Sequence, residues 1–194
     1  MKKPIIAIFL AALVLFGASF ALKDIGAKNA REEHLWLMQT LLPGSEQFTL
    51  EPYSGEDTNI RSVHKAENGF VIETVTHGYA DEMTLLVAVN NDGKVVGLVV
   101  REAHETIGLG SKALTDHVFL SQFLNKSGTF AVAANEADAF SGATAAAEPE
   151  GETVDVDAIT GATVTSKAVV RCVNSAVAYV TGADAVSSAT TWGG

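Results

Sequence analysis

Cysteine and histidine are scarce in this 194-residue chain, and their scarcity limits its chemistry. The single cysteine, Cys172, rules out an internal disulfide, and no spaced set of cysteines is present to hold zinc or an iron–sulfur cluster. The five histidines form neither an i,i+4 pair nor a His-x-His pattern, so the sequence predicts no metal site. Any redox cofactor is therefore expected to be organic.

Basic residues are also few. From residue 45 to 194 there are 8 Lys and Arg against 20 Asp and Glu, a formal charge of −12. Nucleic acids and anionic lipid surfaces attract positively charged protein surfaces. The composition therefore argues against both as partners.

The one long apolar run lies near the N-terminus. Ile5–Leu22 is 18 residues without a charge, preceded by Lys2 and Lys3 and followed by Lys23. At about 1.5 Å per residue, such a helix just crosses a hydrocarbon core of about 30 Å, which favours a retained single-pass membrane anchor. The alternative is a cleaved secretory signal, since Ser19–Ala21 offers small residues at a spacing that a signal peptidase accepts. In either case the chain after Lys23 is expected on the extracytoplasmic side of the cell membrane.

The hydrophobic patterns after the anchor predict an α+β domain. Two apolar segments joined by Asn90-Asn91-Asp92-Gly93 predict a β-hairpin, and the mostly apolar segment 85–89 predicts a strand covered on both faces by packed helices. The expected fold is a small, mostly antiparallel sheet with helices against it. The predicted elements are a helix over 25–42, a loop over 45–60, strands over 70–75, 83–89 and 95–100, and a helix over 113–124.

These patterns divide the chain into four parts. Residues 1–23 are the predicted anchor, 24–44 a connecting helix, 45–182 the folded domain and 183–194 a loose tail. Within the domain, residues 133–157 hold seven acidic residues and no basic one. Such a segment buries too little apolar surface to order itself, so it is predicted to be a flexible excursion.

The most distinctive stretch is Asp157–Ser166, directly before an apolar helical repeat that runs to about residue 180. Gly161 and Ala162 let a backbone turn approach a ligand, and hydroxyl side chains then meet the first N–H groups of a helix. This is an anion-binding geometry. The other interpretation is an ordinary helix N-terminus, because Ser and Thr are the usual capping residues. The candidate caps are Thr163, Thr165 and Ser166.

A second glycine-containing segment, residues 101–112, fits neither a strand nor a helix pattern. Gly108 and Gly110 flank Leu109, so the segment can expose backbone amides to a flat ligand while Leu109 offers an apolar contact. The alternative is a strand-to-helix connection in which the glycines serve tight turns.

Part of the first stretch occurs twice. Asp138–Thr144 repeats the pattern Asp-x-x-(Ser/Thr)-Gly-Ala-Thr that ends at Thr163. After Thr144 come three alanines, Glu148 and Pro149, whereas Thr163 is followed by a clean apolar helical face. Only the second copy therefore precedes a helix that is able to dock.

Together these features resemble the FMN-binding domain family, which includes the G subunit of the Rnf electron-transport complex and the C subunit of the sodium-pumping NADH:quinone reductase. The resemblance covers residues 1 to 182 and rests on three elements. They are the N-terminal membrane segment, the loop Glu105-Thr106-Ile107-Gly108-Leu109-Gly110 and the motif Asp157–Ser166. The family loop usually has proline where this chain has Ile107.

In this family, a dedicated flavin transferase joins FMN through a phosphoester bond to the threonine that ends the Ser/Thr-Gly-Ala-Thr motif. The resemblance therefore implies covalent FMN on Thr163, with Asp157, Thr160, Gly161 and Ala162 as recognition and turn residues. A transferase that reads only the local sequence would also modify Thr144, so this alternative stays open.

Further residues are expected around the cofactor. The resemblance implies that Glu105, Thr106, Gly108, Leu109 and Gly110 pack on the flavin. Thr165 and Ser166 are placed to donate to the phosphate oxygens or to cap the helix.

The resemblance implies an electron-transfer subunit of a membrane-bound, ion-translocating oxidoreductase of the Rnf type, which couples reduced ferredoxin and NAD. Its partners are then the other subunits of the complex, the flavin transferase and the membrane. No nicotinamide-binding Gly-x-Gly-x-x-Gly and no general base or nucleophile is evident, so no independent active site is expected. Two alternatives remain: a free-standing exported flavoprotein that relays electrons to an extracytoplasmic reductase, and a non-redox exported module.

Overall fold

Five antiparallel strands, paired in sequence order, form the central sheet. The structure is a computed structural model that describes residues 26–105, 110–133 and 153–183. The α+β class with an antiparallel sheet is confirmed. The five strands are β1 (Thr49–Glu51), β2 (Ile60–Ala66), β3 (Gly69–His77), β4 (Glu82–Asn90) and β5 (Val95–Ala103).

Several predicted features lie outside the described residues. They are the membrane span Ile5–Leu22, the loop residues Thr106, Gly108 and Leu109, the duplicate motif Asp138–Thr144 and the tail beyond residue 183. Among the helices of the described ranges, none combines the length and the apolar character needed to cross a membrane.

The predicted hairpin is formed by β4 and β5, and local chemistry explains its turn. Gly93 has a φ of 76°, a left-handed conformation that glycine adopts without strain. The side-chain oxygen of Asn90 accepts the N–H groups of Asp92 and Lys94 at 3.1 and 2.9 Å. The turn residues therefore close the hairpin as the sequence predicts.

The segment 45–60 is not a loop throughout, because Thr49–Glu51 form the edge strand β1. The sequence pattern also fails to predict β2, which mixes Arg, Ser, His and Lys with few apolar residues and so carries no strong period-two signal. Hydrogen bonds to neighbouring strands stabilise β2 although its sequence has no strong strand pattern. Strand β2 forms a ladder with β3, and β1 pairs in turn with β2, with Thr49 opposite Lys65.

Strand β4 is buried on both faces, as its apolar sequence predicts, since every residue from Met83 to Val89 is buried. Leu85 and Val87 belong to a core cluster shared with helix α4 (Thr163–Thr181). Ala88, which follows Val87 and points to the opposite face of the sheet, lies opposite Gly97 of β5. A Cβ on Gly97 would come within 2.5 Å of the carbonyl oxygen of Leu41, so the chain at Leu41 covers the second face.

Helix α1 covers residues 26–41, close to the predicted 25–42. The chain divides into two units, residues 1–37 and 38–194. In the first unit the described residues are mostly exposed, with an ion pair of 3.8 Å between Lys28 and Glu32. In the second unit, Met38 and Leu41 at the end of the helix are buried.

Helix α4 supplies the core with an almost continuous buried face, and it contacts β3, β4 and a second small sheet. Its apolar positions recur at helical spacing, as the sequence predicts. The helix ends at Gly182, whose φ of 72° and N–H bond to the Ala178 carbonyl (2.9 Å) form a left-handed C-cap. The buried apolar residues of α4 are Ala168, Val169, Val170, Cys172, Val173, Ala176, Val177 and Ala178.

Two short helices stand where the pattern predicts one over 113–124. They are α2 (Gly110–Thr115) and α3 (His117–Ser121). Asp116 separates them, because its carboxylate accepts the N–H groups of Val118 and Phe119 at 2.9 and 3.0 Å and so caps a new helix. The segment 101–112, predicted to be irregular, begins with the end of β5 and finishes within α2.

Part of the acidic segment 133–157 is a strand, so the prediction of a flexible excursion is wrong for these residues. The second sheet pairs β6 (Thr129–Val132) with β7 (Thr153–Val156) in parallel. Alternation in Thr-Val-Asp-Val turns two valines towards the core, where Val156 is buried and Val154 is partly buried. The two valines give this end of the segment an apolar surface to bury, which acidic composition alone conceals.

Asn174 of α4 joins the second sheet to the helix. Its side-chain amide accepts the N–H of Phe130 at 2.8 Å and donates to the carbonyl of Phe130 at 2.9 Å, and both bonds are buried. The Asn174 amide thus supplies one acceptor and one donor to the backbone of β6, as a neighbouring strand would.

We expect Asn174→Leu to lower the free energy of unfolding by about 2 kcal/mol or more, because it leaves the buried N–H and carbonyl of Phe130 without partners. The matched control is Gln39→Leu, which removes an exposed amide bond of 3.2 Å to the Glu46 carbonyl and should cost less than about 0.5 kcal/mol. Chemical denaturation measures both. Equal midpoints for the two variants would contradict the assigned role of Asn174.

Burial of Cys172 raises the pKa of its thiol from 9.0 to about 11. Between these values the unfolded chain loses the proton and the folded chain keeps it. The free energy of unfolding is therefore expected to fall as the pH rises from 9.0 to about 11. In Cys172→Ala this part of the slope should vanish, which denaturation curves across the same pH range measure. Identical slopes in both proteins would show that the thiol does not couple to folding.

Candidate functional site

The segment between β7 and α4 makes a tight turn at the residues singled out in the sequence. The N–H of Ala162 donates to the carbonyl of Ile159 at 2.9 Å, and Gly161 has a φ of 80°. This left-handed conformation costs a residue with a Cβ about 1–2 kcal/mol, which explains glycine at the position. Helix α4 then begins at Thr163.

Ser166 holds the turn from inside. Its side chain is fully buried, and its hydroxyl donates to the carbonyl of Ala162 at 2.9 Å while accepting the N–H of Ile159 at 3.2 Å. The hydroxyl therefore joins the first helical turn to both ends of the preceding bend. In this structure Ser166 is a turn-forming residue, and its oxygen does not face solvent.

The N-terminus of α4 has no side-chain cap among the described residues. The N-cap position is Ala162, no described side chain bonds to the first N–H groups, and the first turn holds no acidic residue. The structure therefore does not show the alternative interpretation, in which Ser or Thr caps the helix that follows Asp157. The first N–H groups and the positive end of the helix dipole are left for another partner.

Thr163 stands at this uncapped end. Its side chain is half-buried, and its neighbour Val164 is 49% exposed. Within the described residues the Thr163 hydroxyl has no hydrogen-bond partner. Asp157, Thr160 and Gly161, which precede it, are exposed. The exposed residues of the motif thus lie mainly before the helix, and its last two residues, Thr165 and Ser166, are buried.

Gln122 fixes the beginning of the motif. Its side-chain amide accepts the N–H of Asp157 at 2.8 Å and donates to the carbonyl of Asp157 at 3.2 Å. Both backbone groups of Asp157 are thus occupied, and its carboxylate remains at the surface. The sequence offers no local signal for this pairing, because the two residues are 35 positions apart.

Glu105 connects the motif to the central sheet. One carboxylate oxygen accepts the N–H groups of Tyr79 and Ala80 at 2.8 and 3.4 Å, and the other accepts the Thr165 hydroxyl at 3.2 Å. Thr165 is 1% exposed, so its side chain faces Glu105 and not solvent. Gly110 lies beside this bond, since a Cβ there would come within 3.0 Å of the Thr165 hydroxyl.

The structure brings most of the predicted site residues together. The turn and helix residues Asp157, Thr160, Gly161, Ala162, Thr163, Thr165 and Ser166 form one continuous feature, and Glu105 and Gly110 contact it at Thr165. Thr106, Gly108 and Leu109 lie outside the described residues. The sequence analysis did not identify Gln122 or the turn that carries Tyr79.

The arrangement is suited to an anion. Free N–H groups at the start of a 19-residue helix attract negative charge, and the half-buried Thr163 is the first residue of that helix. A phosphate ester on this oxygen would lie at the positive end of the helix. The residues present therefore fit a phosphate-linked cofactor.

Known proteins resemble the chain over different parts of its length. The G subunit of the proton-translocating ferredoxin:NAD(+) oxidoreductase complex of Clostridium ljungdahlii is 28% identical over 93% of this chain and 89% of its own length. The G subunit of the Na(+)-translocating ferredoxin:NAD(+) oxidoreductase complex of Acetobacterium woodii is 37% identical over 56% of this chain and 47% of its own length. The crystal structure of Shewanella oneidensis NqrC matches 70% of this chain and 65% of that chain with 22% identity and a TM-score of 0.44.

A family model also covers the candidate site. The model, described as the FMN-binding domain, matches residues 78–178, just over half of the chain. The matched part starts at the turn that bonds to Glu105 and extends into α4, so it includes Thr163 and the whole motif before it. The chain belongs to the FMN-binding domain family.

Proposed function

We propose that this chain is the electron-transfer subunit of a membrane-bound, ion-translocating oxidoreductase that couples ferredoxin and NAD, and that it carries FMN joined to Thr163 through a phosphoester. The observation that carries this proposal is the uncapped start of α4, with the half-buried Thr163 as its first residue, in an FMN-binding domain. The relative in Clostridium ljungdahlii, which aligns along nearly all of both chains, is named as the G subunit of such a complex.

Burial excludes Thr165 and Ser166 as attachment sites, and position favours Thr163 over the exposed Thr160, because Thr163 is the first residue of α4 and Thr160 precedes the turn at Gly161. The hydroxyls of Thr165 and Ser166 are buried and already bonded, so neither is open to modification in the folded chain. A phosphoester on Thr163 leaves one negative charge beside the first helix N–H groups, an arrangement worth about 0.3–1 kcal/mol at an exposed site. The site therefore favours both the reaction at this oxygen and the charge of its product.

Formation of the bond needs a second protein. A threonine hydroxyl is a poor nucleophile at neutral pH and requires a base, and a metal ion helps to activate the phosphoryl donor. Among the described residues, no cluster of three or more carboxylate, His or Cys groups is arranged to hold such a metal. We assign base, metal and activated flavin donor to a flavin transferase, which approaches the exposed side of the motif at Asp157 and Thr160. Its base takes the proton of the Thr163 hydroxyl, the oxygen forms the new bond to the flavin phosphate, and the rest of the activated donor leaves with the electron pair of the phosphate bond that breaks.

The isoalloxazine ring of the cofactor supplies the redox chemistry, and the chain holds and orients that ring. A covalent tether at Thr163 makes occupancy independent of the concentration of free flavin. The N-terminal segment Ile5–Leu22 anchors the chain in the cell membrane and leaves the domain on the extracytoplasmic side, next to the other subunits of the complex. The domain relays electrons between these subunits, and ion translocation belongs to them.

We expect Thr163→Ala to abolish covalent flavin when the full chain is produced together with a flavin transferase. The matched control is Thr144→Ala, which removes the corresponding threonine of the duplicate motif and should leave the flavin in place. The measurement is fluorescence of the denatured protein on a gel under ultraviolet light, followed by mass mapping of the flavin-bearing peptide.

Each outcome separates a different alternative. Undiminished flavin in Thr163→Ala, or complete loss of flavin in Thr144→Ala, would show that Thr163 is the wrong attachment site, and partial loss in both variants would show that both copies are used. Absence of a fluorescent band in the unaltered protein would contradict covalent attachment and favour a non-redox module.

A further inference from the structure

The first turn of α4 is held in place from outside the helix. A helix whose first N–H groups have no side-chain cap tends to fray, and no side chain in the described part of the chain caps α4. Nevertheless Thr165, the third residue of the helix, is almost completely buried and bonds to Glu105 at 3.2 Å. An anchor on the third residue restrains the turn on which Thr163 lies.

Glu105 makes bonds to two separate segments at once. Toward the sheet it accepts the N–H groups of Tyr79 and Ala80, in the connection between β3 and β4. Toward the helix it accepts the Thr165 hydroxyl. A carboxylate accepts several hydrogen bonds through its two oxygens, so one side chain can join both segments.

Two glycines make room for this carboxylate. A Cβ added at Gly78 or at Gly110 would run into the carboxylate oxygens of Glu105. Gly78 lies in the β3–β4 connection and Gly110 is the first residue of α2. Any larger residue at Gly110, the last glycine of the Gly-Leu-Gly sequence, would therefore displace the Glu105 carboxylate.

We propose that Glu105 is a positioning residue that clamps the first turn of α4 to the β3–β4 connection through Thr165, and so fixes the orientation of whatever is attached at Thr163. This proposal rests on the proposed function only for the identity of the attached group, which is flavin. Glu105 then acts on the cofactor through Thr165 and the helix. The turn it holds on the sheet side carries Tyr79, whose side chain is 71% exposed.

Amide hydrogen exchange on the unmodified full chain tests the clamp. In Glu105→Ala, exchange of the Tyr79 and Ala80 amides should accelerate about tenfold, because both lose a charged acceptor. In Thr165→Val, which keeps the shape and removes the hydroxyl, exchange in the first turn of α4 should rise severalfold. Glu105→Gln and Thr165→Ser keep a bonding group at each position and should restore slow exchange.

Two controls separate the clamp from general stability and from charge. The Phe130 amide, which bonds to the buried side chain of Asn174, should exchange at the same rate in all variants. Glu102→Ala removes an exposed carboxylate from the same stretch of chain and should leave the Tyr79 and Ala80 amides unchanged. Unchanged exchange in Glu105→Ala, or an equal acceleration at Phe130, would overturn the proposal.

A second measurement connects the clamp to the cofactor. With flavin attached at Thr163, the fluorescence anisotropy of the flavin should fall in Glu105→Ala and Thr165→Val and stay at the original value in Glu105→Gln, because a loosened turn lets the attached ring move. Anisotropy that is identical in all four proteins would contradict the proposal. If the unaltered chain accepts no flavin, the proposed function fails while the exchange results still decide on the clamp.

Discussion

The packing of helix α4 against the sheet is the interaction on which the rest of the structure depends. The helix buries its apolar face on β3, β4 and β6, so its axis and its starting point are set by the core. The candidate site lies at that starting point, where Thr163 follows the turn at Gly161. Core packing therefore determines where Thr163 stands, and the candidate site needs no separate scaffold.

Side-chain amides and a carboxylate form hydrogen bonds with backbone groups that have no partner in the main ladders. Asn174 pairs with both backbone groups of Phe130, Gln122 does the same for Asp157, and Glu105 accepts three hydrogen bonds from two segments. Each of these bonds joins elements that are distant in sequence. These bonds supplement the ladder of the small second sheet, which is only four residue pairs long, and the burial of Phe130 and Val156 in the core.

The features that the sequence predicts correctly are those with local causes. The hairpin at Gly93, the burial of β4, the apolar face of α4 and the turn at Gly161 follow from residues within a few positions of one another. Strands β1, β2 and β7 depend on pairing partners, and the break at Asp116 depends on one carboxylate, so hydrophobic periodicity does not reveal them. In the site, the bond between Glu105 and Thr165 spans 60 positions, beyond the reach of any motif.

The parallel pairing of β6 and β7 requires a minimum length of chain between the two strands. Parallel neighbours require a connection that returns the chain to the starting end of the first strand, usually a dozen residues or more. In the sequence, residues 133–152 separate the two strands, and they include the seven residues of the duplicate motif Asp138–Thr144. Without those seven, the remaining connection would still have about the length that such a crossover needs. The number of residues between β6 and β7 thus exceeds the usual minimum for such a crossover by about the length of the duplicate motif.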